Sequence, residues 1–140
     1  MDRLNELPLA KPMRIVIALC WSALLTLLLL QGEADPVIDL GIPRGDNTPA
    51  RELAFSTLHL LAFGVTTACW YWALSRSAKP RRALLAACLI AIALGVTTEI
   101  LQAYTLDRHA SWLDLAANIG GALLAARVIG RWLRSFPTFS

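Results

Sequence analysis

The stretch ALLAACLIAIALGVTTEILQ, residues 83–102, decides the fold, because Glu99 is its only charged residue. About 20 residues of α-helix cross the apolar core of a bilayer, so this stretch has the length and composition of a membrane span. Three further apolar stretches, at 15–30, 53–74 and 112–132, have the same character. The sequence therefore predicts an all-α protein, a membrane-embedded four-helix bundle.

Little of the chain lies outside these four predicted spans. The chain has 140 residues, of which 56% are hydrophobic and 16% are charged. The remaining segments are too short for a second domain, so we expect a single transmembrane domain over 1–140. They contain no glycine loop of the kind that cradles phosphate, and no cofactor is expected. The cysteines lie inside the spans without CxxC spacing, which argues against a disulfide framework or a zinc site.

Basic residues lie at alternate ends of the spans. Ten of the thirteen Lys and Arg residues form three groups: Arg3, Lys11 and Arg14; Arg76, Lys79, Arg81 and Arg82; Arg127, Arg131 and Arg134. The positive-inside rule assigns these ends to the cytoplasm, so we expect cytoplasmic N and C termini. The same charges can contact anionic lipid heads. Because the basic groups follow the helix ends, we do not expect nucleic-acid binding.

The first span has a second interpretation. Its basic lead and leucine-rich centre resemble a signal peptide, and Gly32-Glu33-Ala34 is an acceptable cleavage site. Cleavage would leave three spans and chain ends on opposite sides of the membrane. We favour a retained span. The sequence leaves open the conformation of the acidic segment 31–52, whose apolar middle suits a surface helix, a re-entrant loop or a disordered segment.

Polar residues gather at the outer ends of the third and fourth spans. Residues three and four apart share one helix face, so Glu99 and Gln102 are neighbours on the third span. On the fourth span, one stripe consists of Ser111, Asp114 and Asn118. An ionisable side chain at membrane depth costs about 2.5–3.5 kcal/mol by insertion scales. Such residues are kept for pairing, transport or chemistry.

Residues of the second span and of the following loops complete this polar group. His59 lies inside the outer half of the second span, and Arg108, in the loop before the fourth, can reach either carboxylate. Small residues recur at every fourth position on about the same side as the polar stripe: Ala117, Gly121 and Ala125. This spacing lets a neighbouring helix approach closely. We therefore expect the polar residues to line an outward-facing pocket between helices.

A purely structural role is the alternative for the same residues. Short polar stripes between membrane helices often fix register, at about 0.6 kcal/mol for each hydrogen bond, and Arg108 can simply neutralise Glu99 or Asp114. Ser111 also fits the N-cap position of the fourth helix, with Asp114 completing a capping box. Capping accounts for two residues and leaves the other polar positions on that side of the bilayer unexplained.

The spacing of these polar residues resembles the core signature of the VanZ-like family. This family consists of small bacterial membrane proteins named for a glycopeptide-resistance factor. The resemblance covers about 94–125 and is carried by Glu99-x-x-Gln102, a short loop with Arg108, and Ser111-x-x-Asp114-x-x-x-Asn118-x-x-Gly121.

A second part of the chain adds to the resemblance, with two departures. The stretch His59-Leu60-Leu61-Ala62-Phe63 resembles the family's histidine-containing segment. Ser56 stands where the family often has a basic residue, and Ala125 stands where it has a glycine. The resemblance implies a multi-span protein of the bacterial inner membrane. One member of the family is linked to antibiotic resistance, in the form of reduced sensitivity to teicoplanin, which acts on the cell envelope.

We expect the protein to have a binding or accessory role in a membrane or cell-envelope assembly. The expected partners are membrane lipids and a larger membrane complex or a second copy of the chain. A small dimeric transporter ranks lower, because Glu99 lies near the end of its helix and the chain has no internal symmetry.

An intramembrane enzyme acting on a lipid-linked envelope substrate is the alternative from another class. Glu99 or Asp114 would then be a general acid or base with His59 as its partner, and Arg108 would clamp a headgroup phosphate. Gln102, Ser111 and Asn118 would position the substrate. A metal held by scattered oxygen and nitrogen ligands has weak support, and we predict none.

Overall fold

The computed structural model of the protein describes residues 10–31, 49–104 and 111–135. Its helices are α1 (Ala10–Leu30), α2 (Pro49–Leu74), α3 (Pro80–Ala103) and α4 (Trp112–Ser135), and the described residues contain no strand. All four helices are long and apolar enough to cross a membrane. The predicted all-α four-helix bundle is confirmed, and the chain is a multi-pass membrane protein. The expectations for the segment 32–48 and for Arg108 fall outside the described residues.

The helices are longer than the apolar stretches that predict them. The first three begin at Ala10, Pro49 and Pro80, each a few residues before the predicted span, and α4 continues to Ser135. Hydropathy detects the part of a helix that lies in hydrocarbon, whereas the helix itself continues through the headgroup region. Proline at the first helical position explains two of the starts, because its fixed φ suits the first turn and its missing N–H is not needed there.

The bundle is organised around α2. This helix contacts the other three, and α1 and α4 lie on opposite sides of the α2–α3 pair. Because the connections are short, α2 and α4 run parallel and α3 runs against both. Ser56 meets Asp114, 58 residues on, and His59 meets Asn118, 59 residues on. The first halves of α2 and α4 and the last half of α3 therefore lie at one end of the bundle, which we call the polar end.

Small side chains form most of the interior. Ala87, Ala91 and Ala122 are completely buried, and Phe63 is the largest fully buried side chain. Small residues let membrane helices approach closely enough for extensive van der Waals contact. The closest approach is at Gly121 of α4, where an added Cβ would overlap the carbonyl group of Leu60 in α2.

The first helix is attached through side-chain hydrogen bonds. The indole of Trp21 donates to the hydroxyl of Thr66 at 2.9 Å, and the indole of Trp70 donates to the hydroxyl of Ser22 at 3.0 Å. Both bonds join α1 to α2. Burying indole and hydroxyl groups against hydrocarbon is tolerable because each N–H has found an acceptor.

The outer surface of the bundle is apolar along its length. Every helix exposes large hydrophobic side chains, among them Val16, Leu19, Leu27, Leu61, Leu89 and Val128. An apolar surface of this extent is a liability in water, whereas in a bilayer it faces acyl chains. The polar residues are correspondingly concentrated between the helices.

Candidate functional site

Two hydrogen-bonded pairs join α2 to α4 at the polar end. The Ser56 hydroxyl donates to Asp114 Oδ1 at 2.8 Å, and one turn deeper His59 Nδ1 lies 2.9 Å from Asn118 Oδ1. The pairs lie one above the other because their members are three apart on α2 and four apart on α4, which places each set on one helix face. The parallel packing of α2 and α4 therefore produces a short polar ladder.

Glu99 of α3 joins this ladder at its lower pair. The Asn118 side chain donates from Nδ2 to Glu99 Oε1 at 3.3 Å, and His59 Nδ1 lies 3.9 Å from the same oxygen. A carboxylate accepts and does not donate, so the Asn118 amide must turn its nitrogen toward Glu99 and its oxygen toward His59. The bond to that oxygen then requires His59 Nδ1 to carry a proton. The ring, the amide and the carboxylate form one directional chain across three helices.

The chain of polar groups is almost completely shielded. Asn118 is 0% exposed, His59 is 3% exposed and Glu99 is 6% exposed. The second carboxylate oxygen of Glu99, Oε2, is buried and has no hydrogen-bond partner among the described residues. A buried acceptor left without a donor costs about 1–3 kcal/mol, and a charged one costs more. The half-buried Asp114 carboxylate and the backbone N–H of Ser111 also lie near the Glu99 carboxylate.

A glycine makes room for the central amide. An added Cβ at Gly95 of α3 would lie 2.9 Å from Asn118 Cβ and 3.1 Å from Phe63 Cε1. Real Cβ contacts are longer, so any larger residue at this position would push Asn118 away from Glu99. Gly95 is not among the residues predicted from sequence, although it lies one turn before Glu99 on the same helix face.

Ser111 has the capping role expected for it. Its hydroxyl accepts from the backbone N–H of Leu113 at 3.2 Å and, more weakly, from that of Asp114 at 3.5 Å. These are the N–H groups that an N-cap serine satisfies at the start of a helix. The Asp114 carboxylate contributes to the ladder through Ser56, so capping does not account for it fully.

Gln102 lies on the same helix face as Glu99, as expected, and has a partner that its spacing does not reveal. Its side-chain nitrogen donates to the backbone carbonyl of Leu29 in α1 at 2.7 Å. This buried amide ties the ends of α1 and α3 together at the polar end. It therefore lies near Glu99 on the same helix but apart from the α2–α4 ladder.

The small residues of α4 lie against α2. Gly121 contacts the backbone at Leu60, and an added Cβ at Gly64 would lie 3.5 Å from Gly121 O and 4.0 Å from the Cβ of Ala125. Ala117 is half-buried. The close crossing at Gly121 brings α2 and α4 together directly below His59 and Asn118, which is why such short side chains can bridge the helices.

Other buried hydroxyls have local explanations. Thr66, Thr67 and Thr98 donate to carbonyls of their own helices at 2.8, 3.0 and 2.9 Å. Such back-bonding is a common way to satisfy a hydroxyl inside a membrane helix. Among the described residues, no group of three His, Cys, Asp or Glu side chains is arranged to hold a metal ion.

The fold and this site together define a polytopic helical membrane protein with a buried polar cluster, which we call the Glu99 cluster: Ser56, His59, Glu99, Asp114 and Asn118. Comparison with family models, with curated proteins and with solved structures finds no match to the chain.

Proposed function

We propose that the protein is a small VanZ-like protein of the bacterial inner membrane that binds a ligand at the Glu99 cluster and serves as a binding or accessory component of a cell-envelope assembly. The cluster lies at the outward-facing end of the bundle, because the basic ends of the helices are the cytoplasmic ones by the positive-inside rule. The observation that carries the proposal is the buried Glu99 oxygen Oε2, which has no donor among the described residues.

A role in holding the helices together does not require this arrangement. Register between α2 and α4 is already determined by the Ser56–Asp114 pair and by the close contact at Gly121. Adding a buried carboxylate with a free oxygen destabilises a bundle unless that oxygen gains a partner. A bound ligand that supplies a donor resolves this conflict.

An enzymatic role has one specific observation in its favour. His59 Nδ1 and Glu99 Oε1 are 3.9 Å apart, and both side chains are buried. An imidazole beside a carboxylate is a common arrangement for general acid–base catalysis. The substrate class would be a lipid-linked envelope component that reaches the cluster from the outer leaflet.

Native mass spectrometry of the purified full chain tests the binding proposal. The wild type, Glu99→Gln and Glu52→Gln are purified from bacterial membranes in mild detergent. Glu52 is the matched control, since it is an exposed carboxylate at the same end of the bundle. We expect a bound small molecule on the wild type and on Glu52→Gln, and its loss from Glu99→Gln.

The opposite result has a distinct signature. A structural role predicts no bound molecule on any of the three proteins. In that case Glu99→Gln would alter only the melting temperature or the accumulated amount of protein. An enzyme predicts a third pattern, in which Glu99→Gln and Asp114→Asn retain an unconverted molecule that the wild type has released.

A further inference from the structure

We infer that the ligand of the Glu99 cluster presents a primary ammonium group, which donates to Glu99 Oε2. This inference rests on the proposed function and specifies its ligand. It follows from the position of one buried oxygen, from the charges around it and from the chemistry of the groups that could satisfy it.

Charge balance favours a cation. Glu99 and Asp114 bring two carboxylates to the cluster, and His59 is the one group with a described side chain there that can become positive. A charge removed from water is stable only when it is paired. Asp114 is half-buried and already accepts from Ser56, so the buried Glu99 is the carboxylate that a single positive charge on the ligand balances.

Among the described side chains, no Lys or Arg lies at the polar end. The Lys and Arg residues whose side chains the structure describes all lie at the opposite end: Lys11, Arg14, Arg76, Lys79, Arg81, Arg82, Arg127, Arg131 and Arg134. These side chains are separated from Glu99 by most of the length of the helices and cannot reach it. The cation must therefore come from a ligand or from one of the arginines whose side chains are not described, Arg44, Arg51 and Arg108.

Hydrogen-bond direction favours an ammonium over other cations. The Asn118 amide already occupies Oε1, so the free acceptor is a single oxygen with fixed direction. A primary ammonium carries three N–H donors and can serve Oε2 while it also contacts a second acceptor. A quaternary ammonium has the same charge and no N–H donor, which leaves Oε2 unsatisfied.

Two sources can supply this group at the outward-facing end of the bundle. One is the headgroup of an aminophospholipid such as phosphatidylethanolamine, whose ammonium can reach the polar end from the outer leaflet. The other is a soluble amine from outside the cell. Their shared chemistry is the protonated primary amine, and the experiment separates them.

Thermal unfolding of the full chain in lipid nanodiscs tests the inference. The bilayers contain phosphatidylethanolamine or phosphatidylcholine, which differ in whether the headgroup nitrogen carries N–H donors. We expect the melting temperature of the wild type and of Glu52→Gln to be about 5 °C higher in phosphatidylethanolamine, as saturating ligand would produce. Glu99→Gln should lose this difference, so effects of the bilayer itself cancel in the comparison.

A second arm identifies the source. Free ethanolamine or free choline is added to the protein in phosphatidylcholine nanodiscs. A rise in melting temperature with ethanolamine and none with choline, without a response to phosphatidylethanolamine, supports the ammonium and assigns it to a soluble ligand. If Glu99→Gln does not accumulate, Glu99→Asp replaces it, and the ethanolamine concentration needed for half the response should rise at least about tenfold.

Two results would overturn the inference. One is equal stability of the wild type with primary and quaternary amines in both arms. The other is destabilisation of Arg108→Gln or Arg51→Gln equal to that of Glu99→Gln in both bilayers, which would assign the missing donor to the chain itself. If native mass spectrometry also finds a Glu99-dependent molecule without an amine, binding stands and the ammonium is excluded. If it finds no molecule, both proposals fail.

Discussion

Asn118 is the residue on which the polar cluster depends. Its amide oxygen accepts from His59 and its amide nitrogen donates to Glu99, so one side chain satisfies two ionisable groups from two other helices. It is also completely buried. Among side chains of this size, only asparagine and a protonated aspartic acid offer both an acceptor and a donor in this geometry.

Replacing Asn118 by alanine should leave both partners without their central hydrogen bonds. We expect Asn118→Ala to lower the free energy of unfolding by about 2–4 kcal/mol, because two buried polar groups become unsatisfied. Thr97→Ala is the control, since Thr97 is exposed and its hydroxyl bonds only to its own helix. Equilibrium unfolding in detergent measures both. Equal losses for the two variants would contradict the central position given to Asn118.

Ser56 provides a milder test of the ladder. Its hydroxyl donates across the interface to Asp114, whereas the neighbouring Thr57 hydroxyl donates to the backbone of Leu53 within α2. Bonds between membrane helices contribute about 0.6 kcal/mol on average and at most about 1.7 kcal/mol. Ser56→Ala should therefore cost about 1 kcal/mol and Thr57→Ala less than about 0.5 kcal/mol, measured by the same unfolding method. A larger effect at Thr57 would disprove the ladder.

At the scale of helices, the crossing of α2 and α4 depends on one glycine. Gly121 touches the Leu60 backbone, whereas an added Cβ at the adjacent Gly120 would meet nothing within 4 Å. Backbone atoms cannot move aside as a flexible side chain can. The two neighbouring glycines therefore form a matched pair for substitution.

We expect Gly121→Ala to force α2 and α4 apart and to cost about 3 kcal/mol or more, at the upper end of overpacking effects. Gly120→Ala should be neutral or stabilising by up to about 1 kcal/mol, because alanine is the better helix former. Melting temperatures in detergent distinguish the two. Similar behaviour of both variants would show that the crossing is looser than described.

The helices could be predicted from sequence, but their partners could not. Spacing within one helix places Asp114 and Asn118 on one face, because α-helical geometry is local. Which helix that face meets depends on the rotation and order of all four helices, and this is why the bond from Gln102 to the Leu29 carbonyl of α1 could not be predicted. The role of Gly95 also depends on the approach of Asn118 from another helix.

At the scale of the whole molecule, the charges of the two ends differ sharply. The end away from the Glu99 cluster carries all the Lys and Arg residues whose side chains are described, and there Arg14 lies over the Trp72 ring at 4.6 Å from its centroid. A cation over an aromatic ring suits the headgroup region, where both groups keep partial contact with water. This asymmetry predicts the orientation in the membrane.

Labelling with a membrane-impermeant maleimide checks the orientation. In a variant whose three cysteines are replaced by alanine, single cysteines are placed at Glu52 and at Ser77, which are exposed at opposite ends. We expect Glu52→Cys to react on intact bacteria and Ser77→Cys to react only after lysis. The reverse pattern would place both termini outside the cytoplasm and turn the cluster toward the cell interior.

The sharing of one amide between α3 and α4 also constrains how the chain enters the bilayer during synthesis. Glu99 emerges from the ribosome before Asn118, so a third helix released alone into lipid would carry a carboxylate with no companion. Entry of α3 and α4 together as a hairpin avoids that exposure. We therefore expect the third and fourth segments to be inserted as a unit, and translation that stalls between the two should leave a nascent chain prone to degradation.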